Sequence, residues 1–296
     1  IKKTDKLVAS CFNKVTNFLP WVPSIEERFE DAIETLKLCA TEAKIKKDLV
    51  GQIIINERLD EYYRKYYQMT NDNSLKLSHV TILRDIITLK NKSNIQTITT
   101  HSDTPIYDIL EQMKTMLAIV LDTPEEYHIR LTLRFILDYY VKKQLNLQEL
   151  DFVIDCYDKM KAMTGKNDEH LAELLIIYKN QYSEAANIFE EIASQKNSMS
   201  RLYDDLLLIK AICCYICLDE VLAQKKIEEY QQSYPISTKI RFTQIKNLFA
   251  AYQENNVEEF TQILGSNLDM FGENVIINHL LLVIKTKLEN SHSDLC

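Results

Sequence analysis

Glycine and proline are almost missing from this chain: 4 and 5 residues out of 296. Strands and tight hairpins need such turn residues every 8–12 positions or so. The supply is far too small for a β fold, so the chain is expected to be all-α. The same scarcity leaves no place for a loop that cradles phosphate, and G-x-x-x-x-G-K-[ST], G-x-G-x-x-G and G-x-S-x-G are all absent. Basic charge is also short. There are 35 Lys and Arg against 43 Asp and Glu, a net charge of −8. Phosphate contact needs a concentrated basic field, so nucleic acid is not expected as the main ligand. Long apolar runs are missing too. None approaches the roughly 18 residues of a spanning helix, and no signal peptide is visible. A soluble, cytosolic protein is expected. The chain begins at Ile1, so its natural N-terminus is expected to lie upstream.

What is present is apolar and helical in rhythm. Hydrophobic residues make up 46% of the chain, enough for a sizeable core. Leu7, Val8, Cys11 and Val15 recur at helical spacing, and the pattern continues to Phe18. Phe18-Leu19-Pro20-Trp21-Val22-Pro23 breaks it, with two prolines around the single Trp. Ser24 with Glu27 reads as a capping box. The helix after it places Ile25, Phe29, Ala32, Ile33, Leu36 and Ala40 on one face. Its partner, about 46–68, offers Val50, Ile53, Ile54, Leu59, Tyr62, Tyr63 and Tyr66. A helix over 76–90 uses Val80, Leu83, Ile86 and Ile87, and 91–103 reads as a polar loop. Thr104-Pro105 and Thr123-Pro124 read as helix starts, since proline is tolerated in the first helical position. Thr123 with Glu126 forms a second candidate capping box.

From 146 onward the helices become regular: 147–163, 168–179, 181–195, 199–218, 220–233, 238–253, 256–264 and 273–289. Short loops between them imply antiparallel neighbours. A helix–turn–helix repeat of 30–40 residues or so is the mark of a tetratricopeptide-type array. The best local match is Asn180 to Ala186 with Phe189, where small residues let the paired helix approach and the aromatic fills the gap. The expected architecture is a tetratricopeptide-like twisted sheet of antiparallel helix pairs over 1–210, followed by a C-terminal helical bundle and tail over 211–296.

Candidate chemistry is thin. The seven cysteines are odd in number and scattered, which suits buried thiols in a reducing compartment. Cys213-Cys214-x-x-Cys217 sits mid-helix among Ile212, Tyr215, Ile216 and Leu218, with no second pair at metal spacing. It reads as core. The six histidines form no metal motif, and Glu126 and His128 point to different faces of a helix. No catalytic set, metal or cofactor is expected. The apolar loop at 18–23 either caps the first helical pair or dips into a membrane, since Trp favours lipid interfaces; composition leaves both open. The tail Ser291 to Cys296 reads as a frayed terminus.

The residues from Lys210 to Thr261 carry a resemblance. Lys210-Ala211, Cys217-x-Asp219, Ala223, Lys226, Glu229, Tyr230 and Tyr234-Pro235 are followed by Lys246, Leu248, Ala251, Glu254-Asn255-Asn256-Val257 and Phe260-Thr261. This run resembles the soluble NSF attachment proteins, the alpha type in particular. Other matches follow in order. They are Ser24 to Glu27 with Ala32, Gln181-Tyr182 to Phe189-Glu190, Leu281-Leu282 to Ile284-Lys285, and Asp294-Leu295. The resemblance covers about two-thirds of the chain, and 69–145 is not matched.

The resemblance implies a non-enzymatic adaptor for SNARE disassembly. Several copies, each a monomer alone, would line a SNARE four-helix bundle and recruit an NSF-type AAA+ ATPase. It implies a membrane-contacting loop at Phe18, Leu19, Trp21 and Val22, and a cytoplasmic, peripheral-membrane protein. It implies ATPase-facing Asp219, Glu254, Asp294 and Leu295, and SNARE-facing Lys239 and Arg241. The chain departs from the family at Asp205 and Ile240, where it has basic SNARE-facing residues, and at Ala250 and Gln253, where it has acidic ones. A helical-repeat scaffold for another peptide or coiled coil is the rival. A peptide-sensing repeat regulator is a third reading, for which no Asn-lined groove can be assigned.

Overall fold

The computed structural model describes residues 23–70, 74–93, 109–141, 143–195, 201–233, 240–266 and 274–293. Among them are thirteen α-helices and one π turn, and no strand. The chain divides into two compact units, Ile1–Tyr139 and Tyr140–Cys296. In both, helices pack against their neighbours in sequence, the tetratricopeptide-like arrangement expected from the repeat pattern.

The first unit contains α1 (Ile25–Ile45), α2 (Leu49–Thr70), α3 (Ser74–Ser93), α4 (Ile109–Leu121) and most of α5 (Glu126–Tyr140). The capping box at α1 forms. The Glu27 amide donates to Ser24 Oγ at 3.1 Å and the Ser24 amide donates to Glu27 Oε2 at 2.7 Å. Phe29, Ala32, Ile33 and Leu36 then meet Leu59, Tyr62, Tyr63 and Tyr66 in one core, and the Phe29 and Tyr66 rings stack at 5.1 Å. Two expected α2 core positions differ. Val50 is exposed and Ile54 only half-buried, while Ile55 is buried. The α1–α2 turn ends α1 in a left-handed residue, Lys47 with φ 56°. The Asp48 amide reaches back to Ala43 O at 2.9 Å and that of Lys47 to Lys44 O at 3.1 Å, which satisfies the orphan carbonyls of the last turn. Asp48 then caps α2 by accepting the Gly51 amide at 2.8 Å.

The expected Thr123–Glu126 capping box does not form. The Thr123 hydroxyl donates back to Val120 O at 2.7 Å, so it closes α4 instead of opening α5, and α5 begins only at Glu126. The Thr104-Pro105 start, the helix of residues 1–17 and the Phe18–Pro23 loop up to Val22 lie outside the described residues.

The second unit contains α6 (Leu147–Thr164), α7 (Glu169–Leu174) with a π turn (Leu175–Lys179), α8 (Tyr182–Gln195), α9 (Arg201–Leu218), α10 (Glu220–Ser233), α11 (Ile240–Gln253), α12 (Val257–Ser266) and α13 (Val275–Ser293). The expected single helix over 168–179 therefore widens in its last turn. Asn180, at φ 53°, closes that turn by donating its amide to Leu175 O. The unit is built around α9. Eleven consecutive residues, Leu207 to Cys217, are buried, and α9 packs on α8, α10, α11 and α13. A helix apolar on every face belongs inside. Ala185, Ala186 and Phe189 of α8 are fully buried, as the small-residue reading of that stretch requires.

Candidate partner-binding surface

Cys213, Cys214 and Cys217 are all buried within α9. Burial pushes their thiols up, that of Cys217 to about 12, so they carry no thiolate at neutral pH. No group of three or more His, Cys, Asp or Glu side chains that could hold a metal occurs among the described residues. What the site offers is a scaffold with a charged end.

One ion cluster fixes α9 to α7. The Lys210 side chain is 2% exposed, and its amine meets Glu169 and Glu173 at 2.7 Å each. It also lies 5.4 Å from the Phe189 ring centre. Burial pushes the Glu173 carboxyl up, but hydrogen bonds from His170 and Lys210, with their charges, outweigh it and hold the group below its ordinary value. A second cluster joins α8 to α10. Lys226 meets Glu190 at 2.9 Å, and the Tyr230 hydroxyl donates to the same carboxylate. Lys210 and Lys226 were noted in the sequence only as matching residues. The signal that could have shown the role of Lys210 is a charge inside an apolar run.

The C-terminal end of α9 is a meeting point. The Lys287 amine of α13 donates to Cys217 O at 2.5 Å, placing a cation on the negative end of that helix. The chain then turns at Asp219, whose carboxylate accepts the Leu222 amide at 2.7 Å and so caps α10. Tyr252 near the end of α11 lines a small apolar cavity with Ile216 of α9 and Leu281 of α13, and burial raises its hydroxyl. There α11 closes like α1. Asn255 has φ 55°, and the Asn256 amide reaches Ala251 O at 2.9 Å. Asn256 Oδ1 then accepts the Glu259 amide at 3.1 Å to cap α12. Asp219, Glu220, Glu254, Glu258 and Glu259 are exposed around this junction.

Of the residues singled out in the sequence, Asp219 and Glu254 thus lie at one end of the second unit. Asp219 also has a local task as a helix cap. Arg241 is half-buried in the first turn of α11. Phe18, Leu19, Trp21, Val22, Lys239, Asp294, Leu295 and the Tyr234-Pro235 break lie outside the described residues. Ile240 is 69% exposed, and Ala250 and Gln253 are exposed as well. By contrast, Lys210, Ala223, Tyr230, Leu248, Ala251 and Phe260 are buried. These six are part of the set that carries the resemblance, and they specify the inside of the unit.

A profile of the family described as soluble NSF attachment protein, SNAP, matches residues 153–289. Over these residues, a little under half of the chain, the protein is similar to the soluble NSF attachment protein family. Relatives are distant. A soluble NSF attachment protein homologue of fowlpox virus is 27% identical over 161 residues, which is 49% of this chain and 56% of that protein. The beta-soluble NSF attachment protein of Bos taurus is 31% identical over 117 residues, 37% of this chain and 38% of its own. The alpha protein of Mus musculus is 23% identical over 118 residues, 39% and 40% of the two chains. The chain thus spans about half or less of the length of the curated relatives it matches. A solved structure of C. therm. Get4 aligns with 95% of this chain and 88% of its own at 14% identity, with a TM-score of 0.31. No described helix is long and apolar enough to cross a membrane.

Proposed function

We propose that the chain is a non-enzymatic adaptor that binds SNARE four-helix bundles and recruits and stimulates an NSF-type AAA+ ATPase. The observation that carries this reading is the family match over 153–289, whose residues form the packed interior of the second unit. The acidic junction around Asp219 and Glu254 supports it, because exposed charge of one sign sets on-rate and register for a basic partner. Part of that acidity has a local cause, since Glu220, Glu258 and Glu259 sit in first turns of helices, where carboxylates are favoured. Arg241, with Lys239, is the proposed SNARE-facing pair. Asp294 and Leu295 are proposed to stimulate the ATPase, and Phe18 to Val22 to touch the membrane.

Three of the four departures, Ile240, Ala250 and Gln253, are exposed and Asp205 is half-buried, while Lys210, Ala223, Tyr230, Leu248, Ala251 and Phe260 among the family-like residues are inside. That pattern favours an adaptor with altered partner preference. The test is a pull-down of the ATPase by immobilised SNARE complexes. Purified protein is expected to bring the ATPase to the complex. Failure with the host's own SNAREs and ATPase would leave only the scaffold reading. For the loop, Phe18→Ser with Trp21→Ser is expected to reduce flotation with liposomes, and equal flotation would remove the membrane role.

A further inference from the structure

The first unit contains a cleft of about 350 Å³, lined by residues outside the family-matched stretch. It lies between α2, α3 and α4. Tyr63, Tyr67, Leu75 and Ile119 give it apolar walls, Lys76 and Asp122 supply an ion pair, and Thr115 and His79, the latter already held by Asp60, complete its polar lining. Lys76 is buried, at 6% exposure, yet its amine faces the cleft, where it pairs with the Asp122 carboxylate. That carboxylate is 69% exposed. The two ends of this ion pair are therefore unequal. The cation is fixed inside, and its partner reaches in from water.

The amine, which opens on the cleft, holds an anion there, and that anion need not be Asp122. An exposed side chain on the turn after α4 returns to water at little cost. The Lys76 amine keeps other company when it does. It lies 3.4 Å from Asp122 O and 5.3 Å from the centre of the Tyr67 ring. A mostly apolar cleft of this size with one or two fixed polar groups is the usual form of a small-molecule site.

We propose that this cleft binds a small amphiphilic monocarboxylate, its carboxylate replacing the Asp122 side chain on Lys76 and its apolar body lying against Tyr63, Tyr67, Leu75 and Ile119. One buried cation matches one negative charge, and the walls match an alkyl or aryl body. The cleft lies outside the family-matched residues, so the proposal does not depend on the adaptor reading.

The test uses the full chain with octanoate as probe, followed by calorimetry and by chemical-shift changes at Tyr63 and Tyr67. Saturable one-to-one binding is expected, with octanol binding about tenfold more weakly for lack of charge. Lys76→Met should weaken octanoate about tenfold. Asp122→Asn should tighten it about threefold, because the competing carboxylate is gone. A purely structural ion pair would not give that gain. Ile119→Phe enlarges a half-buried wall of the cleft, leaves both members of the ion pair in place and should weaken binding about tenfold at an unchanged melting temperature, which keeps the test valid if Lys76→Met unfolds. Non-saturable uptake, equal affinity for octanol, or a loss on Asp122→Asn would overturn the proposal.

Discussion

The interiors of the two units are made differently. Among the described residues nine polar or charged side chains are buried. Eight of them, including Asn56, Asp60, Lys76, His79 and Lys90, are in the first unit, and only Lys210 is in the second. The first interior is held by pairs such as His79 with Asp60 and Lys90 with Glu57, the latter at 2.8 Å. The second is a dry core around α9 with one ionic fixture. Apolar packing tolerates change as long as volume and pattern survive. A buried ion pair depends on two particular residues and their geometry. The family match lies in the dry unit alone. A lineage of apolar positions can stay recognisable at 23–31% identity, whereas the ionic interior of the first unit has no such periodic record.

The largest difference should appear in thiol chemistry. Cys156, Cys213, Cys214 and Cys217 of the second unit are buried, while Cys39 of the first is only half-buried. Alkylation followed by peptide mapping should modify Cys39 in the native protein and leave the other four at least about a hundredfold slower, until unfolding exposes them. Equal rates would mean that the α9 core opens readily and is not the stable centre of the unit.

Next comes Lys210. Lys210→Met leaves two half-buried carboxylates, Glu169 and Glu173, without their cation and should cost about 2–4 kcal/mol in urea unfolding. Lys90→Met in the first unit leaves one such carboxylate, Glu57, and should cost about half as much. A larger loss at Lys90 would reverse the view that the single ion in the dry unit matters most. The Lys210 contribution also has a pH signature. Glu173 is held below its ordinary value of 4.5 in the folded state. Its stabilising effect is therefore present above that pH and is lost as pH falls through the folded value. The acid limb of the stability curve should flatten in Lys210→Met, and an unchanged limb would remove Glu173 from the account.

Asp219→Ala removes the α10 cap and should cost about 1 kcal/mol. Asp219→Asn keeps an accepting oxygen at the same position and should be nearly neutral. The smallest effect compares two turns of the same design. Lys47→Gly should stabilise by about 0.5–1 kcal/mol, because a lysine there is held at φ 56°. Asn255→Gly should gain less, since asparagine already tolerates the left-handed region. Similar gains at both turns would show that the conformation is not the limiting feature.

The sequence made much of the second unit legible. Helical period, the alanine pair at 185–186 and the apolar run of α9 all pointed inward, and all three are inside. The capping box at Ser24 was legible because its two partners are three residues apart. Thr123 looked the same and is not a cap. A hydroxyl can bond backward as easily as forward, and only the packed neighbours decide. The π turn at Leu175 leaves no mark in a helical pattern. The ionic contacts were out of reach for another reason. Lys76 and Asp122 are 46 residues apart, and Lys210 and Glu169 are 41. Pairs so distant in sequence are joined only by the fold. At the acidic junction, Asp219 and Glu254 could be picked out by resemblance, but the capping task of Asp219 could not.

The partner-facing role proposed for Asp219, beside its capping task, also gives the most direct test of the adaptor account. Recruitment of the ATPase to immobilised SNARE complexes should be measured for the parent protein and for Asp219→Asn with Glu254→Gln, across a series of salt concentrations. The account predicts recruitment by the parent that weakens with salt, and several-fold weaker recruitment by the variant with its melting temperature unchanged. Equal recruitment by parent and variant at every salt concentration, or none by either, would contradict it.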